Sequence, residues 1–216
     1  MNLEEARAQM LGQQIRAWEV LDDRVLGALG QIRRESFVPD AYRELAFADL
    51  DIPLAHGQQM MTPKIEGRLL QALCLEPSDD VLEIGTGTGF LTACLAHLAK
   101  SVVSVDIYED FSRDAKTKVG QLEARNVEFR TQDALTMGHQ EQFDAIAVTG
   151  SVPELDDHFI RMLRPGGRLF IVVGREPVME ARVVTMHERG EFAQESLFES
   201  VITPLVNAER PEPFVL

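Results

Sequence analysis

Residues Val81 to Phe90 read VLEIGTGTGF, and sixteen residues beyond Phe90 the run SVVSVD ends in Asp106. Val81, Leu82 and Ile84 suit a buried strand, Gly85, Gly87 and Gly89 a tight turn, and FLTACLAHLA, Phe90 to Ala99, the helix leaving it. Strand, glycine turn and helix form a nucleotide-binding crossover, in which glycine lets a bulky ligand approach the backbone and tolerates positive φ. The dinucleotide fingerprint would require G-x-G-x-x-G, but Phe90 stands where its last glycine belongs, which speaks against a nicotinamide dehydrogenase. Glu83 and Asp106 bring two carboxylates to the turn. An acid at the end of the second strand accepts hydrogen bonds from both hydroxyls of an adenosine ribose, whichever cofactor carries it. Two carboxylates suit a cationic ligand better than a pyrophosphate.

The elements that must position these residues follow from the flanking sequence. Leu3 to Val20 predicts an amphipathic helix with Met10, Ile15 and Trp18 toward a core, and Asp22 or Asp23 caps a second helix with Val25, Leu26, Leu29 and Ile32 on one face. Arg33 to Pro63 lacks periodicity, is long for a structureless connection and is too apolar for disorder, which marks it as functional. Lys64 to Leu75 reads as the helix before the first strand.

Beyond Asp106 come a helix (Tyr108 to Ala124), strands VEFRTQD and FDAIAVTG, a helix (Val152 to Leu163), the turn LRPGG and a continuous apolar strand, Arg168 to Gly174. Two further strands, Ala181 to Glu188 and Glu195 to Leu205, close the chain. Alternation of this kind, with strands apolar on both sides, predicts an α/β fold with a mostly parallel seven-stranded sheet and helices on both faces. Residues 1–63 are expected to form a helical extension with a cofactor-covering loop, and residues 64–216 the Rossmann-like core of the same domain. Open sheets of this type bind ligands at the carboxyl ends of their strands, which brings Asp133 within reach of an adenine amino group and Thr149 to the ligand crevice. Asp144 falls at the opposite end and is expected to be structural.

With 21 basic against 35 acidic residues, the net charge of -14 disfavours non-specific binding to nucleic acid or an anionic membrane. The acidic N-terminus MNLEEARAQM is unlike a secretory signal, and no apolar stretch reaches membrane-spanning length, so a cytoplasmic location is expected. Cys74 and Cys94 lie in apolar helical contexts and are expected to be buried, and the five histidines show no ligand spacing, so no metal is expected.

The pattern E-x-G-x-G-x-G with a distant strand-end acid resembles class I methyltransferases that use S-adenosylmethionine. The order of QIRRESFVP, AFADLDIPL and GQQMMTP ahead of the glycine turn, then Gln132-Asp133-Ala134, FDAIAVTGSVPELDD, LRPGGRLFIVVG and ITPLV, resembles the protein-L-isoaspartate O-methyltransferase family over nearly the whole chain. That resemblance implies methylation of the free carboxylate of L-isoaspartyl residues in damaged proteins. It implies cofactor contacts from Glu83, Gly85, Thr86, Gly87, Gly89, Asp106, Ile107, Asp133, Ala134 and Thr149. An acceptor carboxylate is already ionised at neutral pH, so no strong general base is required.

The chain departs from the family at one place. The family loop reads G-Q-T-I-S-x-P, with the serine hydroxyl near the reacting carboxylate, and an ungapped match from Gly57 to Pro63 places Met61 there. Thr62 is the neighbouring hydroxyl and the catalytic candidate, while Met60 and Met61 would otherwise fill a gap in the core. Three readings therefore stand: an isoaspartyl methyltransferase, a methyltransferase of the same fold for another carboxylate or a small molecule, and a cofactor-binding domain without turnover.

Overall fold

The computed structural model describes residues 3–187 and 190–208. Its N-terminal helix begins as α1 (Leu3–Gln9), loosens into one π turn (Met10–Ile15) and tightens into a 3-10 turn (Arg16–Trp18), which Glu19 ends at φ 61. Met10 and Ile15 are buried as their spacing requires, and Trp18 is half-buried. The Asp22 carboxylate accepts from the Arg24 N–H and caps α2 (Asp23–Gln31), whose Val25, Leu26 and Leu29 enter the core.

The aperiodic segment that follows is irregular but packed. It comprises 3-10 turns at Arg34–Ser36, Asp40–Leu45 and Ala55–Gly57 and a short antiparallel hairpin of β1 (Ile52–Pro53) and β2 (Gln59–Met60). Phe37, Val38, Phe47 and Ile52 are buried, so apolar burial rather than hydrogen-bond periodicity orders the chain here. Helix α3 (Pro63–Leu73) opens with proline in its first turn, where the missing N–H is no loss.

The core sheet is formed by β3 (Asp80–Ile84), β4 (Ser101–Asp106), β5 (Val127–Thr131), β6 (Phe143–Val152), β7 (Leu163–Arg175), β8 (Val178–Met186) and β9 (Phe192–Glu199). The spatial order is β5-β4-β3-β6-β7-β8-β9, parallel from β5 through β7 and antiparallel at β8 and β9. Helices α4 (Phe90–Leu98) and α5 (Glu109–Gly120) are the parallel crossovers. One apolar cluster joins the N-terminal segment to α3, α4 and one side of the sheet, including Ala145, Phe170 and Val172; a second covers the other side around Leu82, Ile146 and Phe159. Thus residues on both sides of position 63 share one core.

Four expectations need correction. The helix expected over Val152 to Leu163 is a single turn, α6 (Asp157–Ile160), because β6 runs on to Val152 and the Asp156 carboxylate starts the helix late by accepting from the His158 N–H. The helix after Asp106 stops at Gly120, and Glu123 at φ 58 turns the chain. The last strand ends at Glu199, and Ile202 to Leu205 instead lie beside β6, with Ser151 donating to the Thr203 carbonyl and Leu205 donating back to Ser151. Cys94 is buried but Cys74 is exposed, closing α3 at φ 45. The strand expected from Ala181 runs to Met186, and its last expected residue, Glu188, lies outside the described residues. No helix among the described residues is long and apolar enough to cross a membrane.

Gly89 shows how tightly the crossovers are packed. It has φ 85, and a Cβ there would stand 2.8 Å from the Ala115 Cβ of α5. Gly89→Ala should lower the unfolding free energy in denaturant titration by about 1–3 kcal/mol through backbone strain and overpacking. Gly120→Ala, with nothing within 4 Å, should leave it unchanged or slightly higher.

Candidate active site at the sheet switch point

Strand order reverses between β3 and β6, so the loops leaving their carboxyl ends diverge and open a crevice, the position at which such sheets bind ligands. The crevice is an open cleft of about 1020 Å³ with the solvent space at its mouth included. Gly85, Thr86, Gly87, Asp106, Ile107, Asp133, Ala134 and Thr149 all line it. Of the residues expected at the cofactor, only Glu83 and Gly89 stand behind its wall.

Asp106 organises the turn. Its Oδ2 accepts from the Gly87 N–H at 2.9 Å and its Oδ1 from the Tyr108 N–H at 2.9 Å, which ties the end of β4 to the glycine loop. Burial raises its pKa from the ordinary carboxylate value, and these N–H donors pull it back down. The Thr149 hydroxyl lies 3.0 Å from the Ile84 carbonyl and 2.9 Å from that of Gly85, linking β6 to the same loop. A Cβ on Gly85 would fall 2.1 Å from that hydroxyl, so the sequence position tolerates no side chain. Asp133 accepts from the Leu135 N–H at 2.9 Å and from the Asn207 amide at 2.8 Å, and the latter bond fixes the C-terminal segment over this end of the cleft.

Glu83 is fully buried beneath the turn. Its Oε2 accepts from the hydroxyls of Thr92 at 2.5 Å and Ser104 at 2.6 Å, Ser104 in turn meets Thr86, and its Oε1 has no partner. Burial pushes its pKa up to about 8 against these hydrogen bonds. The geometry makes Glu83 a brace between β3, β4 and α4.

The opposite wall comes from the aperiodic segment. Met60 and Met61 line the cleft and also belong to the larger apolar cluster, so they fill the core and form the wall at once. Thr62, the expected hydroxyl, is at the N-terminus of α3; its Oγ1 is buried without a hydrogen-bond partner and is not part of the lining. Asp51 and Glu66 line this end and were not singled out from the sequence, nor was Arg34, which stands behind them. Arg34 is 1 % exposed; it donates to Glu66 at 3.0 Å, to the Ala46 carbonyl at 2.7 Å and to the Met61 carbonyl at 2.6 Å. Asp51 accepts from the Thr62 N–H, and its pKa is raised by burial and by Asp49. Sequence offers little sign of this group, because a glutamate in the first turn of a helix ordinarily faces water and answers the helix dipole. At the mouth, the His56 ring stacks on Tyr108 with centroids 4.0 Å apart, and its Nε2 lies 3.0 Å from Asp110, closing the hairpin onto α5.

A profile of the protein-L-isoaspartate(D-aspartate) O-methyltransferase family matches residues 5–210. Protein-L-isoaspartate O-methyltransferase 2 of Pelobacter propionicus is 36% identical over 212 residues, covering 96% of this chain and 93% of its own. The Cronobacter sakazakii protein-L-isoaspartate O-methyltransferase is also 36% identical, over 94% of this chain and 97% of its own. A Plasmodium falciparum structure described as a protein-L-isoaspartate O-methyltransferase in complex with S-adenosyl-L-homocysteine superposes with a TM-score of 0.78 over 95% of this chain and 98% of its own. At 18% identity that superposition speaks to the fold.

The buried Glu83 makes a prediction about stability. Its folded pKa, about 8, lies above its unfolded value near 4.5, so its contribution is fully present below pH 4.5 and is lost as pH rises toward 8. Glu83→Gln cannot ionise, so thermal melts from pH 5 to 8.5 should show the wild type losing stability relative to the variant as pH increases.

Proposed function

The chain belongs to the protein-L-isoaspartate(D-aspartate) O-methyltransferase family, and from that premise we propose that it methylates the free carboxylate of L-isoaspartyl residues in aged proteins with S-adenosylmethionine. The observation that carries this reading is the junction of the two walls. The glycine turn with Asp106 lies on one side of a single cleft, and the Met60-Met61 wall lies on the other.

The residues present fit that cofactor. Gly87, at φ 50, has only the Leu54 Cδ1 within 4 Å of the place where a Cβ would stand, which leaves its backbone open to a ligand. Among the described lining residues the ionisable side chains are the acids Asp51, Glu66, Asp106 and Asp133, with no basic group, which suits a positively charged sulfonium compound. Asp106 would hold the ribose, Ile107, Ala134 and Leu135 would enclose the adenine, and Asp133 would meet its amino group. Bound there, the sulfonium would supply an electrophilic methyl group that an acceptor oxygen could take, with the thioether as the leaving group. The chain's own task is alignment and exclusion of water, which in favourable cases supplies roughly 7–11 kcal/mol. The cleft walls provide both, through the packed methionines, Tyr108 held by the His56 ring stacked on it, and the C-terminal segment Ile202 to Val206.

A second reading, transfer to a different acceptor, is favoured by one observation. Met61 has no hydrogen to donate, and the acids Asp51 and Glu66 stand where an anionic acceptor would enter.

Labelled methyl transfer to an isoaspartyl peptide, against the matching aspartyl peptide, separates the two readings. Selective, base-labile labelling is expected, and cofactor binding without it would favour the other acceptor. Asp106→Ala should weaken cofactor binding in titration calorimetry by about 1–3 kcal/mol through loss of charge-assisted hydrogen bonds. Unchanged affinity would remove Asp106 from the cofactor site.

A further inference from the structure

Glu66 combines three features that no other acid among the described residues shares. It is 2 % exposed yet lines the cleft beside Met61; its Oε2 is held by the Arg34 Nε at 3.0 Å; and its Oε1 has no hydrogen-bond partner among the described residues. The same guanidinium donates to the Met61 carbonyl at 2.6 Å, so the free oxygen of Glu66 and the wall residue that lacks a hydroxyl are fixed to one rigid group. A carboxylate acceptor brought to this wall would meet a second carboxylate. Two carboxylates at contact distance cannot both remain ionised, and they share a proton instead.

We propose that Glu66, in its neutral form, donates a hydrogen bond from Oε1 to one oxygen of the acceptor carboxylate and so orients the methyl acceptor in place of the hydroxyl absent at Met61. This rests on the isoaspartyl reading given above. The other acceptor oxygen stays free to attack, and the Glu66 proton is retained through the transfer.

The surroundings favour the neutral form near pH 7. Burial raises the Glu66 pKa, the Arg34 charge and hydrogen bond lower it and Asp51 raises it slightly, which together bring it to about 7. Glu83 on β3 and Cys94 on α4 also face it from the core; the Cys94 thiol, held well above its ordinary pKa by burial, stays neutral and adds no charge. The Asp51 carboxyl, exposed at the mouth of this wall and itself raised, is the other group here that titrates upward.

The test uses the full chain, isoaspartyl and aspartyl peptides, and two readouts. With the free enzyme titrating near pH 7, kcat/KM for the isoaspartyl peptide should fall about fiftyfold between pH 7 and 9, since the neutral fraction falls by that factor. Glu66→Gln keeps an oxygen for Arg34 and an N–H for the acceptor without titrating, so it should remain active with a flat profile over that range. The step should persist in Asp51→Asn. Independently of turnover, calorimetry of isoaspartyl peptide binding with S-adenosylhomocysteine at pH 8, in buffers of different ionisation enthalpy, should show proton uptake by the wild type and none by Glu66→Gln.

A flat wild-type profile, absence of proton uptake, or a step abolished by Asp51→Asn would overturn the assignment. So would Glu66→Gln retaining under a tenth of wild-type activity with cofactor affinity intact, because the ionised form would then be the working one. Absence of isoaspartyl labelling at every pH, with cofactor still bound, overturns the isoaspartyl reading and this assignment together. If Glu66→Gln does not fold, the wild-type profile and proton uptake still decide.

Discussion

A single guanidinium, buried to 1 % exposure, holds the irregular part of this molecule together. Arg34 uses each nitrogen on a different segment: Glu66 of α3, the carbonyl of Ala46 before the hairpin, and the carbonyl of Met61 at the cleft wall. Its charge also lies over the Phe90 ring, 5.4 Å from the centroid, at the start of the crossover helix. A buried charge tolerates this position only when its donors are satisfied, and three separate acceptors leave the segment from Arg34 to Met61 few alternative paths. An aperiodic stretch is thereby made rigid without secondary structure.

That rigidity gives the cleft two firm walls. The sheet supplies one through strand ends, with Asp106 tying the glycine loop to β4 and Thr149 tying it to β6. The irregular segment supplies the other, and its Met60 sulfur accepts from the Thr88 hydroxyl at 3.7 Å, so the two walls touch. The C-terminal segment completes the enclosure by pairing with Ser151 and by the Asn207 bond to Asp133. The irregular segment and the sheet share one apolar core, and packing within it rather than any single bond sets the distance between the walls.

Electrostatics divide the acids of the site by depth. Asp106 and Asp133 are compensated by backbone and amide N–H donors, as suits groups that meet a polar ligand. Glu83 and Glu66 are fully buried, and burial shifts both toward the neutral form. Glu83, within the glycine motif, braces the turn from beneath, whereas Glu66, outside any motif, reaches the cleft. Position in a motif therefore did not decide which glutamate faces the ligand.

The sequence by itself determined the crossover, the mostly parallel seven-stranded sheet and the family, and it pointed to one end of the cleft. Those features are local: glycine spacing, apolar runs and strand-end acids each act within a few residues of where they stand, and eight of the ten expected cofactor residues line the cleft. The end of the last strand and the length of α6 were decided instead by the chain's return to β6 and by the Asp156 cap. Only tertiary structure decided the acceptor side. Arg34 and Glu66 are 32 residues apart, and nothing in either one's neighbourhood distinguishes them from solvated surface residues. Their pairing exists because the fold carries both into the same dry interior, where the guanidinium needs an acceptor and the carboxyl oxygen needs a donor.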